Sequence, residues 1–62
     1  MSLRERQIVL LLRGGLTNRD IAEKLQLSEA TVKTYLSRVF EAFQVTSRTA
    51  LLAAVERIRS ET

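Results

Sequence analysis

The sequence predicts an all-α domain of four helices over residues 1–62, and three observations carry that reading. Ser2, Thr17, Ser28 and Ser47 each stand before a stretch whose apolar residues recur at helical spacing. The chain contains no proline, and its two glycines are adjacent, so the only strong break falls at Gly14-Gly15. The segments between the periodic stretches are only a few residues long, as helix–helix connections in small bundles usually are.

The first helix is predicted over 2–13. Ser2 and Glu5 make the S-x-x-E capping box, in which each side chain satisfies an orphan amide at the helix start. Leu3, Ile8, Leu11 and Leu12 supply an apolar face, widened by Val9 and Leu10, and Gly14-Gly15 ends it. The second helix is predicted over 17–25, with Thr17 as cap, Asp20 three residues on, and Ile21, Ala22 and Leu25 turned inward. Ala22 is small enough to let another helix approach closely.

After only Gln26 and Leu27, Ser28 opens a third helix predicted over 28–43, with Glu29 favourably placed against the helix dipole. Val32, Leu36, Val39 and Phe43 form one continuous stripe at 4-3-4 spacing. The opposite face carries Lys33, Thr34, Ser37, Arg38 and Glu41. The fourth helix is predicted over 47–59, with Ser47 as cap but Ala50 where a capping box would place a carboxylate. Leu51, Leu52, Val55 and Ile58 form its apolar side, Arg57 and Arg59 suit the negative pole of its dipole, and Ser60–Thr62 are expected to fray.

Composition narrows the function. A domain of 62 residues buries only ~60% of the surface its unfolded chain exposes, and without cysteine no disulfide or thiolate zinc site supplements the core. No apolar run approaches the ~20 residues that span a bilayer, so the reading is a cytoplasmic protein or a fragment of one, with no membrane partner. Histidine and cysteine are both absent, which removes the commonest general base and the best nucleophile. No metalloprotease, P-loop or nucleophile-elbow pattern occurs. The expectation is a protein that is not an enzyme, with no catalytic residue, metal, cofactor or small-molecule ligand. Ten Lys and Arg against seven Asp and Glu leave a net charge of +3, compatible with a nucleic-acid partner and with an ordinary charged surface alike.

The pairing of a short second helix with a longer third one across a very tight turn is more informative. This is the helix-turn-helix plan, in which the first helix of the pair crosses the DNA backbone and the second enters the major groove. Lys33 can donate to guanine O6 or N7 or to a phosphate. Arg38 can do the same further along the helix. Thr34 offers a methyl and a hydroxyl to base edges, and Ser37 is short enough to read through water.

Four stretches carry a family resemblance, in order and at the right spacing. Met1-Ser2-Leu3-Arg4-Glu5-Arg6 resembles the L-S/T-x-R-E start of LuxR/GerE-type (NarL-like) domains. Gly15-Leu16-Thr17-Asn18-Arg19-Asp20-Ile21-Ala22 resembles their G-L/K/Y-S/T-N-K/R-E/D-I-A. Leu27-Ser28-Glu29-Ala30-Thr31-Val32-Lys33 is similar to L/I-S-x-x-T-V-K, and Val45-Thr46-Ser47-Arg48-Thr49 to V-x-S/N-R-x. The resemblance implies a four-helix helix-turn-helix domain of bacterial transcription regulators, usually C-terminal to a receiver or ligand-sensing domain. It implies double-stranded DNA as partner, with RNA polymerase a candidate further contact. It places Lys33, Thr34 and Ser37 toward the bases; Arg38 joins this base-facing set from the reading of the polar face, though further along the helix, where backbone contact is favoured. Thr31, Tyr35 and Arg48 fall nearer the phosphates, with Asn18 and Arg19 added from the second helix. It also implies a homodimer through the fourth helix, where Ala50, Ala53, Ala54 and Arg57 lie outside the predicted core stripe.

The sequence departs from the family pattern at several points. Tyr35 replaces a frequent histidine, Ser37 a longer basic residue, and Ala42 a common lysine, while Phe40 falls just off the core stripe. Gln44 replaces a common glycine after the third helix; in a left-handed conformation a non-glycine residue there costs ~1 kcal/mol. Two other readings compete. The promoter-reading domain of sigma factors shares the pattern of Thr31 to Arg38 but does not account for Val45-Thr46-Ser47-Arg48 and a fourth amphipathic helix. A helical protein-interaction module would use Phe40 and the last helix instead of Lys33 and Arg38.

Overall fold

A computed structural model describes residues 1–61, with side chains through Arg59. It contains four helices in order: α1 (Leu3–Arg13), α2 (Asn18–Leu25), α3 (Glu29–Phe43) and α4 (Arg48–Glu61). Each begins one residue after the Ser or Thr that was expected to start it, because that residue is the cap and lies outside the helical turn. The last helix continues through Glu61 rather than ending at 59. Thr62, the final residue of the tail expected to fray, lies outside the described residues.

The helix starts follow the local chemistry. At α1 the Ser2 amide donates to Glu5 Oε1 at 2.9 Å and the Glu5 amide to Ser2 Oγ at 3.2 Å. Hydrogen bonds from the Ser2 hydroxyl and then the Ser2 amide hold the Glu5 carboxyl below the usual carboxylate range. The box recurs at α2, where Thr17 donates to Asp20 Oδ2 at 3.2 Å and Asp20 to Thr17 Oγ1 at 3.1 Å. Ser28 and Ser47 are one-sided caps, accepting from the Thr31 and Ala50 amides at 3.1 Å each.

The first three helices all end in the same way. Past α1, Gly15 (φ +90) lets its own amide reach the Leu12 carbonyl and the Leu16 amide reach that of Leu11. Past α2, Gln26 (φ 58) and Leu27 bond to Glu23 and Ala22; past α3, Gln44 (φ 56) and Val45 bond to Glu41 and Phe40. Each is a Schellman motif, a left-handed residue followed by an apolar one that turns back onto the helix. The left-handed Gln44 fulfils the condition under which the sequence attached a cost to it. Gln26 adopts the same conformation, and no glycine there announced it.

The core is drawn from all four helices. Ile8 and Leu12 of α1, Ile21 of α2, Val32 and Val39 of α3, and Leu51 of α4 are essentially inaccessible. α3 is the central element, packed on α1, α2 and α4. The expected α1 face needs correction: Leu3 and Leu10 are 74% and 56% exposed. Leu3 lies five residues from Ile8, about 140° round the helix, and so shares the outer side with Leu10. In α2 Ile21 and Ala22 are buried as expected, whereas Leu25 is only partly covered, as is Phe43 at the end of the α3 stripe. Ile58 shares a face with Leu51 but is 48% exposed. α4 is further tied to α1 by Arg13, whose Nη2 lies 2.6 Å from Glu56 Oε1.

Candidate nucleic-acid interface

The turn between α2 and α3 is three residues, and each has a mechanical task. Gln26 reverses the chain, Leu27 folds back to bond Ala22 at 2.8 Å, and Ser28 caps α3. Ala22 is 4% exposed, so the small side chain noted in the sequence sits where this turn closes onto α2. Helix α3 is fixed rigidly to α2 by these contacts, with its polar side free.

Lys33, Thr34 and Ser37 are exposed on that side, opposite the buried Val32, Leu36 and Val39. Thr34 Oγ1 donates to the Ala30 carbonyl at 3.1 Å. Its hydroxyl hydrogen is thereby committed to its own helix, leaving a methyl and acceptor lone pairs facing outward. Glu29 and Glu41 bracket this face, but no carboxylate lies among residues 30–40, so its middle is cationic.

Arg38 takes a different position. Its guanidinium lies over the Tyr35 ring, 5.9 Å from the centroid, and its charge helps hold Glu5 ionised. The stacking sets Arg38 and Tyr35 together on one flank of α3, apart from the Lys33–Ser37 row. Thr31 is half-buried, and its Oγ1 accepts from Ser28 Oγ at 2.9 Å, so it is bound into the cap. Arg19 is exposed on the first turn of α2.

On the other flank, α1, α2, α3 and α4 surround an open cleft of about 290 Å³. Leu12, Leu36 and Phe40 line it with apolar surface, and Asn18, Lys33, Ser37 and Arg48 supply polar groups. Phe40, off the core stripe in the sequence, is half-buried here. Arg48 donates through Nη1 to Asn18 Oδ1 at 3.4 Å and through Nη2 to the Leu16 carbonyl. Residues far apart in the chain, each singled out separately from the sequence, are thus brought into contact.

The fourth-helix surface is narrower than expected. Ala53 and Arg57 are exposed and Ala50 is half-covered, but Ala54 is buried at 8% exposure. Ala54 follows Leu51 by three residues, less than one turn, and so shares its inward side. Among the described residues, no helix is long and apolar enough to cross a membrane.

A short helix locked to a longer one by a three-residue turn, with the polar face of the longer one uncovered, defines a helix-turn-helix module. The chain belongs to the luxR family of bacterial regulatory proteins, whose family model (GerE) matches residues 1–55. It is 44% identical over 57 residues to the DNA-binding transcriptional activator DevR/DosR of Mycobacterium tuberculosis, covering 90% of this chain and 26% of that protein. It is 40% identical over 53 residues to the monoamine regulon transcriptional regulator of Klebsiella aerogenes, covering 86% of this chain and 23% of the relative. Among solved structures, the response regulator ChrA of a heme-sensing two-component system superposes with a TM-score of 0.89 at 45% identity, over 94% of this chain and 29% of that one. The chain therefore spans about a quarter of the length of these relatives. The family match and the presence of α4 favour this assignment over the sigma-factor resemblance.

Proposed function

We propose that residues 1–62 form one unit that binds double-stranded DNA for transcription regulation, in the cytoplasm, with the first half of α3 in the major groove. The observation that carries this is the exposed Lys33–Thr34–Ser37 row, rigidly presented by the capped turn and free of carboxylates. Lys33 is the donor for guanine or phosphate. Thr34 offers its methyl to a thymine methyl, and Ser37 reaches a base edge through water. Arg38 and Tyr35 serve one phosphate strand from the flank, and Arg19 and Thr31 approach the backbone from the starts of α2 and α3.

Binding of a mixed-sequence duplex followed by gel shift tests this reading. Affinity is expected to fall steeply as salt rises, since neutralised phosphates release counterions. Lys33→Ala should cost ~1–3 kcal/mol if Lys33 reads a base. A folded Lys33→Ala protein with unchanged affinity would remove Lys33 from the site.

The exposed Ala53 and Arg57, beside the half-covered Ala50, support a homodimer on DNA, because small alanines let two copies of α4 approach closely. Sedimentation on a symmetric duplex should show two chains per duplex. One chain per duplex would count against this interface.

A further inference from the structure

Asn18, the first residue of α2, is half-buried and lines the cleft beside Lys33 and Ser37. Its amide has two chemically distinct ends: Oδ1 accepts hydrogen bonds, whereas Nδ2 donates two. A guanidinium only donates, so the end that meets Arg48 must be the oxygen, as the Nη1–Oδ1 contact shows. Arg48 is itself braced by its bond to the Leu16 carbonyl in the α1–α2 turn. Among the described residues every buried side-chain nitrogen and oxygen has a partner. Nδ2 of Asn18 has none, so it opens to solvent. The amide is therefore held by its oxygen end and keeps its two donor hydrogens uncommitted, in a cleft whose lining contains no carboxylate.

We propose that Arg48 is a positioning residue for DNA binding, acting through Asn18, whose Nδ2 donates to a backbone phosphate. This rests on the DNA-binding reading above and changes what Arg48 does within it. Arg48 serves as a rigid two-pronged strap between the start of α4 and the start of α2, rather than as a cation laid on the duplex. Lysine keeps the charge but lacks the planar fork that reaches two acceptors at once. A simple charge contact survives Arg48→Lys; an orienting one does not.

The test is fluorescence anisotropy on a labelled duplex with the whole chain, comparing wild type, Arg48→Lys, Asn18→Ala, the double variant and Asn18→Asp. Thermal melts confirm that each protein is folded at the assay temperature. Arg48→Lys and Asn18→Ala should each weaken binding by about tenfold, the loss of one hydrogen bond to a charged group. The double variant should bind no worse than the weaker single one, because both remove the same contact. Asn18→Asp keeps an acceptor for Arg48 and suits the helix dipole, so its melting temperature should hold or rise. Its affinity should nevertheless fall at least about tenfold, since an oxygen now faces the phosphate where two donor hydrogens stood.

Wild-type affinity in Arg48→Lys, or losses that multiply in the double variant, overturn the proposal. Indifference of both single variants on a duplex that wild type binds overturns only this proposal. A wild-type chain that binds no duplex overturns the DNA reading beneath it.

Discussion

Helices α3 and α4 have nearly equal lengths, yet the molecule treats them differently. α3 is packed by the other three helices, with Val32 and Val39 at 0% exposure. α4 begins well, with Leu51 fully buried and Ala54 nearly so, but Ile58 two turns on is 48% exposed. The ties to α4 beyond packing are polar: Arg48 to Leu16 and Asn18 near its start, and Glu56 to Arg13 toward its end. The contrast shows a division of labour. The proposed DNA contact by α3 needs rigid backing, and α3 has it on every side but one. α4 supplies one deep anchor and a set of polar straps, and keeps its outer face available.

The largest expected effect breaks this contrast directly. Leu36→Ala, on the buried side of α3, should cost ~2–5 kcal/mol. A domain of this size has only ~3–5 kcal/mol to lose, so the melting temperature followed by circular dichroism should fall steeply. Ile58→Ala should change stability by no more than ~0.5 kcal/mol, as exposed substitutions do. Equal losses at the two positions would show that α4 is as deeply integrated as α3.

A smaller effect sharpens the comparison at the junctions. Gln26→Gly and Gln44→Gly each relieve a left-handed non-glycine residue, one before α3 and one after it. Each should raise stability by up to ~1 kcal/mol, which in a domain of this size raises the melting temperature by roughly 4–8 °C. A fall in melting temperature for both would mean that the Gln side chains contribute more than their backbone strain costs.

Much of the fold was legible in the sequence because helix starts are local events. Ser2 with Glu5 and Thr17 with Asp20 interact across three residues, and their capping boxes form as read. The left-handed Gln26 was not legible, since its conformation follows from how tightly α3 must return onto α2 rather than from its own preference. Leu3 and Ala54 were assigned to the wrong sides because apolar character was counted without tracking angle round the helix. The exposed row of Lys33, Thr34 and Ser37 followed from the spacing of the α3 stripe. The Arg48–Asn18 contact did not, because it joins residues 30 positions apart that the sequence offered only as separate phosphate contacts.

In the proposed reading the α3 face and the start of α2, rather than the outer face of α4, meet the duplex. Amide and side-chain NMR shifts recorded while a mixed-sequence duplex is added test it most directly. The largest changes are expected at Lys33, Thr34, Ser37 and the Asn18 side-chain amide. Changes centred on Ala53 and Arg57, with Lys33, Thr34 and Ser37 unmoved, would contradict it.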